Sequence, residues 1–266
     1  MIERTTKQLG KRLNRGWRVA GTGFSFAMFG LGGLMLRLIV FPLLDLAVRD
    51  RRRRVLLARQ VIRLAFRSFV EMMRALGVIR YEISGLERLR RRGLLILANH
   101  PTLIDTVLLM AFVQHADCIV KNALWRNPFT RGPIRAAGYI SNEQGPDLID
   151  DCIDSIRGGG NLIIFPEGTR TPIDGNMTFK RGAANVAVRG ECPITPVYIR
   201  CTPLTLSKGE KWWDVPDTIP LFSVQIGQDI HIDHAIGADA PACADNPTLA
   251  ARQLTTYLQQ HFMKES

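Results

Sequence analysis

From Val19 to Leu36 the chain runs VAGTGFSFAMFGLGGLML without one charged side chain. After the lone Arg37 the apolar character resumes as LIVFPLL and stops at Asp45. An uncharged stretch of roughly 18 residues reaches the threshold for crossing a bilayer, and the whole apolar segment, 19–48, is long enough to cross with tilt. Gly21, Gly23, Gly30, Gly32 and Gly33 make it a poor helix in water, whereas small residues let membrane helices approach closely. The competing reading is a buried core helix. A cleaved secretory signal fits less well, because the apolar part is too long and no small-residue cleavage site clearly follows.

Charge narrows this further. Residues 1–92 hold 21 Lys/Arg against 6 Asp/Glu, while the remainder is net acidic, so the overall charge of +11 belongs to the N-terminal third. Lys7, Lys11, Arg12, Arg15 and Arg18 precede the apolar segment; Arg49 and Arg51 to Arg54 follow it. Clustered Lys/Arg stay on the cytoplasmic side, and a single span cannot satisfy both flanks. A re-entrant helical pair, bent near Gly30–Gly33 or at Pro42, satisfies both. Either arrangement keeps the rest of the chain on the cytoplasmic face, at the inner membrane if the cell is Gram-negative. Arginines then recur at helical intervals through 51–74, opposite Val55, Ile62, Phe66, Phe69, Val70 and Met73, which reads as a basic amphipathic helix on anionic lipid. Residues 1–75 are thus expected to associate with a membrane. Basic surfaces also bind nucleic acid, but no zinc-finger spacing or RNA-binding aromatic signature accompanies this one.

From Tyr81 the pattern changes to short apolar runs separated by helical stretches. Strands are expected at 81–83, 93–98, 118–120, 161–165, 194–200 and 222–226, with helices at about 102–114, 148–156, 182–189 and 246–262. This alternation predicts an α/β fold, with a mostly parallel central sheet flanked by helices, over 76–266. In such sheets the working loops gather at the carboxyl ends of strands. Two polar motifs fall there. Asn99-His100-Pro101-Thr102-Leu103-Ile104-Asp105 follows one buried strand, and Phe165-Pro166-Glu167-Gly168-Thr169-Arg170 follows another.

These residue types suit acyl transfer to an alcohol. The attacking hydroxyl must lose its proton, and an imidazole titrating near pH 6.5 is a natural base. Asp105, in the first turn of the following helix, can reach back to His100 and fix its tautomer. No activated serine is needed, since the substrate hydroxyl is the nucleophile. In the second loop Arg170 offers a planar fork to an anion, Gly168 lets backbone approach it, and Glu167 can hold a substrate hydroxyl or orient a basic neighbour. Thr169 completes that loop, and Lys180, within Phe179-Lys180-Arg181-Gly182, adds a cation before a helix start.

The paired motifs resemble the glycerolipid (lysophospholipid) acyltransferase family, whose blocks can be laid over roughly 85–205. The resemblance implies that His100 is the base and Asp105 its partner. It further implies that Glu167, Gly168 and Arg170 contact the acceptor's phosphate and glycerol, and that Pro196, in Ile194-Thr195-Pro196-Val197, shapes the acyl pocket. The family's second block usually ends in an arginine that binds the acceptor phosphate; here that place holds Asn142 or Glu143. Either Arg135 or Lys121 compensates, or the acceptor carries less phosphate charge, as a lysophospholipid, lyso-ornithine lipid or glycolipid would. The implied reaction is membrane-bound O-acyl transfer from acyl-carrier protein or acyl-CoA, with no other cofactor and no metal. Two alternatives are a non-catalytic lipid-binding membrane protein and a late acyltransferase of lipid A assembly, which shares His-x4-Asp but not FPEGTR.

Other features carry less. Cys118, Cys152, Cys192, Cys201 and Cys243 are dispersed and read as reduced thiols. His231 and His234 lack a further ligand cluster for a metal. Trp212-Trp213, among lysines, reads equally as an interfacial anchor or as loop packing. The oligomeric state has no signature.

Overall fold

A computed structural model describes residues 2–127, 130–142, 147–237 and 246–265, with side chains from residue 13 onward. The elements run α1 (Ile2–Met35), a π-helical segment (Leu36–Val40), α2 (Phe41–Ala47), α3 (Arg51–Ala75), β1 (Arg80–Ser84), a 3-10 turn (Leu86–Arg90), β2 (Leu95–Ala98), α4 (Asp105–Phe112), β3 (Ala116–Val120), α5 (Asn122–Arg126), α6 (Arg131–Ala137), β4 (Ile140–Ser141), α7 (Leu148–Arg157), β5 (Asn161–Ile164), α8 (Gly182–Gly190), β6 (Ile194–Thr202), β7 (Leu221–Ile226), α9 (Ile232–Ile236) and α10 (Pro247–Glu265).

The strands form one seven-stranded sheet in the order β1-β7-β6-β2-β5-β3-β4, parallel except where β6 meets β7. Central strands β2 (LILA) and β5 (NLII) are buried along their whole length, as expected of strands covered on both faces. One face, with Ile96, Ala98, Val197 and Ile199, packs under α3 and α4. The other, with Leu95, Leu97, Ile194 and Tyr198, packs under α7, α8 and α10. Leu95–Leu97 pairs in register with Leu162–Ile164, so the two polar motifs leave adjacent parallel strands at the same end. The expected α/β sheet is thus present, with α5, α6 and β4 as additions within 121–141.

The apolar segment differs from its expected shape. Helix α1 runs unbroken through Gly30–Gly33. The irregularity comes later, where the Phe41 N–H bonds to the Leu36 carbonyl across five residues. Pro42 follows at the start of α2; it has no N–H to give and its ring would crowd the carbonyl four residues back, so a wider turn relieves it. A helical pair does form, but its turn lies at Val48–Asp50. Trp17 donates to the Leu76 carbonyl, Phe29 meets Phe66 and Phe69, and Arg54 pairs with Asp45, an antiparallel pattern between α1–α2 and α3. Leu13–Ala47 contains a helix long and apolar enough to cross a membrane. Its outer side exposes Trp17, Phe24, Met28, Leu31, Met35, Leu38, Ile39, Leu43 and Leu46.

Helix α3 spans the expected basic region, capped by the Asp50 side chain on the Arg53 N–H. Its apolar side is spent on the domain: Ala58, Ile62, Val70 and Met73 are buried there, and the face left outward carries arginines with Leu56, Leu57 and Leu64. Arg59, which the helical spacing puts on the basic face, turns inward. Its Nη2 lies 2.5 Å from Asp117 Oδ2 on β3, its Nε donates to the Ala137 carbonyl, and Ser155 donates to the same Asp117 oxygen. The Asp117 side chain is 2% exposed, and burial raises its carboxyl above the ordinary range while Arg59 opposes that rise. Removing the guanidinium leaves this carboxylate without its counter-charge. Arg59→Met is therefore expected to lower unfolding stability by about 3–5 kcal/mol, measured by denaturant titration in detergent; a loss under about 1 kcal/mol would mean the pair holds nothing together.

Candidate active site

Strand β2 ends at Ala98 and α4 does not begin until Asp105, later than the apolar pattern predicts. The reason is local chemistry. The Asp105 carboxylate takes the Thr102 N–H (2.6 Å, Oδ2) and the Thr102 hydroxyl (2.6 Å, Oδ1), so the turn before the helix closes on a side chain with the spacing of a capping box. The Leu103 N–H is drawn away to the Leu206 carbonyl at 3.0 Å. Asn99 fixes the other side of the turn: its side chain donates to the Ile199 carbonyl and accepts from the Ile199 N–H, clamping the end of β2 to β6.

His100 sits between these anchors. Its Nδ1 lies 2.9 Å from Asp105 Oδ2, the oxygen that also accepts from Thr102 N–H. An oxygen serving as acceptor to a backbone N–H places the hydrogen on Nδ1 and leaves the Nε2 lone pair free, a tautomer inferred from the network. The ring stacks on Phe165 at a centroid distance of 4.4 Å, and the side chain retains 17% exposure, against none for Asp105. Burial raises the Asp105 carboxyl above its ordinary value, opposed by the hydrogen bonds from His100 and Thr102.

The second loop follows β5. Glu167 is buried, and its Oε1 accepts from the His100 backbone N–H (3.1 Å) and the Thr171 hydroxyl (2.7 Å). The Thr171 N–H in turn donates to the His100 carbonyl at 2.7 Å. Glu167 therefore positions the histidine's backbone, and its Oε2 is buried without a protein partner. Burial raises this carboxyl too. Glu167 does not pair with Arg170, whose Nη1 donates to the carbonyls of Leu206 and Ser207 at 2.9 and 2.7 Å. Gly168 has φ +65°, and a Cβ there would stand 2.8 Å from Lys180 Nζ, so the exposed lysine lies across the glycine. Thr169 is exposed at the loop tip.

The loop pair thus assembles His100, Asp105, Glu167, Gly168 and Lys180. Pro196 lies apart from them in mid-sheet, paired with Leu97, and its ring would meet a Cβ on Gly227. Asn142 follows β4 and its side chain accepts from the Asn122 N–H, while Glu143 is outside the described residues, as is Cys243. Thr102 and Thr171 were not singled out from sequence. The Thr-x-x-Asp spacing could have revealed the first; nothing in the sequence marks the second. Among the described residues no group of three or more His, Cys, Asp or Glu could hold a metal, and His231 and His234 do not form one.

A paired histidine and aspartate stands at one strand end, beside a glycine-lysine loop at the next, and the model of the Acyltransferase family matches residues 80–200, which hold both loops. Relatives include a 1-acyl-sn-glycerol-3-phosphate acyltransferase of Pseudomonas aeruginosa, 28% identical over 176 residues, which cover 63% of this chain and 65% of that one. The human 1-acyl-sn-glycerol-3-phosphate acyltransferase beta is 26% identical over 200 residues, covering 71% and 69%. The crystal structure of the 1-acyl-sn-glycerophosphate acyltransferase PlsC from Thermotoga maritima shares the fold with TM-score 0.66 and 20% identity, over 96% of this chain and 97% of that one. Over residues 80–200 the chain is thus similar to the Acyltransferase family and to relatives named as 1-acyl-sn-glycerol-3-phosphate acyltransferases. It spans just under two thirds of the length of the Pseudomonas relative.

Proposed function

We infer that the protein is a membrane-bound O-acyltransferase, moving a fatty acyl group from acyl-carrier protein or acyl-CoA to the free hydroxyl of 1-acyl-sn-glycerol 3-phosphate or a related lysolipid. The observation that carries this reading is the 2.9 Å His100–Asp105 contact at the end of β2, fastened by Glu167 from the adjacent loop. His100 Nε2 takes the hydroxyl proton as the lipid oxygen attacks the thioester carbonyl. The tetrahedral intermediate collapses with cleavage of the C–S bond, and the imidazolium returns its proton to the departing thiolate. The buried Asp105 carboxylate stabilises the charged ring between those steps. The thioester supplies the driving force, so neither metal nor nucleotide enters.

Lys180, over Gly168, supplies a cation for the acceptor headgroup, and Arg170 lies two positions further along the same loop. Asn142 replaces a cation at the end of β4, which favours acceptors with less phosphate charge. The exposed apolar side of α1–α2 and the arginines at the start of α3 seat the protein on the cytoplasmic leaflet, where a lysolipid is already dissolved. An acidic carrier protein would meet the same basic surface.

The test uses the full chain reconstituted in phosphatidylethanolamine–phosphatidylglycerol vesicles with radiolabelled palmitoyl-carrier protein or palmitoyl-CoA. Acceptors are 1-acylglycerol 3-phosphate, lysophosphatidylethanolamine and a lyso-ornithine lipid. Label is expected in the diacyl product of at least one acceptor, with one free thiol released per acyl moved. Binding of all three without transfer would favour a lipid-binding scaffold.

A further inference from the structure

Between β6 and β7 the chain leaves the sheet for residues 203–220, a strap touching both the reaction loops and the N-terminal helix. At its start the Leu206 carbonyl accepts from the Leu103 N–H and from Arg170 Nη1, and the Ser207 carbonyl accepts from Arg170 again. Leu206 is held at φ +53°, a backbone state costly for a branched-chain residue, and the Glu210 carboxylate closes the next turn on the Ser207 N–H. Further on, Trp212 lies over Gly23 of α1, its ring atoms 3.0 and 3.2 Å from where a Cβ would stand. Buried Arg18 of α1 donates to the Asp217 carbonyl at 2.8 Å. The strap is thus fastened to the loop bearing His100 and Asp105 at one end and to α1 at the other.

Its outer surface is aromatic and basic. Trp212 and Trp213 are 42% and 46% exposed, set edge to face at 5.3 Å, with Lys211 Nζ 5.3 Å above the Trp213 ring and Lys208 exposed nearby. Burying two indoles only halfway leaves much apolar area in water, an arrangement that suits the headgroup layer, where the ring is desolvated and the N–H stays wet. The patch continues onto α1, where Trp17 and Phe24 are 57% and 50% exposed and Phe24 follows the glycine that Trp212 covers. Lysines flanking it favour an anionic leaflet.

We propose that the 203–220 strap is a second lipid-contacting element, Trp212 and Trp213 entering the headgroup region of an anionic bilayer alongside α1, while Leu206 and Ser207 tie that contact to Arg170 and to the His100–Asp105 loop. The inference rests on the membrane-bound reading above. It makes Arg170 a positioning residue as well as a substrate contact, set by a strap whose far side lies in lipid.

The test reads tryptophan depth and needs no turnover. The full chain carrying Trp17→Phe and Trp125→Phe emits only from Trp212 and Trp213. It is mixed with phosphatidylcholine–phosphatidylglycerol vesicles whose acyl chains are brominated near the headgroup. Loss of emission relative to unbrominated vesicles, with a blue shift, is the expected result. A companion chain, Trp125→Phe with both strap tryptophans changed to Phe, reports Trp17 on α1. Quenching of Trp17 alone would overturn the strap proposal and leave membrane binding standing. Quenching of neither would remove the membrane reading itself.

Discussion

Asp105→Asn is expected to reduce acyl transfer by about 10²–10⁴-fold while leaving the fold in place. The side chain has nearly the same volume, and the residue is fully buried at the start of α4. Its two oxygens accept three hydrogens, from the Thr102 N–H, the Thr102 hydroxyl and His100 Nδ1. An amide has only one acceptor oxygen. If that oxygen keeps the Thr102 N–H, it still faces His100 Nδ1, the amide nitrogen turns toward the hydroxyl, which can rotate to accept, and His100 keeps only a neutral acceptor in place of a carboxylate. A neutral amide oxygen holds the hydrogen on Nδ1 less firmly than a carboxylate does, so the tautomer with a bare Nε2 is less favoured. The charged ring formed during attack also loses its counter-ion inside a site where burial already penalises charge. The check is kcat on the best acceptor with unfolding midpoints alongside; a variant within about threefold of wild type would show that the carboxylate does not orient the base.

His100→Ala is expected to cost a similar factor, about 10²–10⁴, because it removes the proposed proton acceptor but none of the walls around it. Its backbone anchors, the Glu167 carboxylate on its N–H and the Thr171 N–H on its carbonyl, do not involve the ring. The loop should therefore keep its path, with Phe165 losing the stacked face. Acceptor KM should change little, separating a lost base from a collapsed pocket.

The His100–Asp105 contact was legible in the sequence because its geometry is short-range: five positions across a strand end and a first helical turn leave the two side chains few ways to miss each other. The sheet was legible for a similar reason, since LILA and NLII are too apolar and too short for anything but doubly covered strands. What binds the two loops together was not. The Glu167 contact with the His100 backbone depends on β2 and β5 being neighbours in register, a property of the sheet order rather than of either motif. Arg170 reads as an anion fork, yet its Nη1 is spent on carbonyls from a strap some 36 residues away in sequence.

The N-terminal region misled in a specific way. Glycines at 30–33 read as a bend, but a helix covered on one side by Phe66 and Phe69 is stabilised by packing rather than by propensity. The proline at 42 marks the irregular turn more faithfully, because a missing N–H is a defect that no neighbour can repair. Arg59 misled for the opposite reason. Helical spacing places it among surface arginines, and only the fold brings Asp117 beneath it.

The most direct test of the central claim compares single-turnover acyl transfer by wild type, His100→Ala, Asp105→Asn and the double variant, each in the same vesicles with the acceptor found most active. Residues that act as one base fail together, so the double variant should be no slower than His100→Ala alone. Wild-type rates in His100→Ala, or losses that multiply in the double variant, would contradict a His100–Asp105 base and leave the chemistry to some other group.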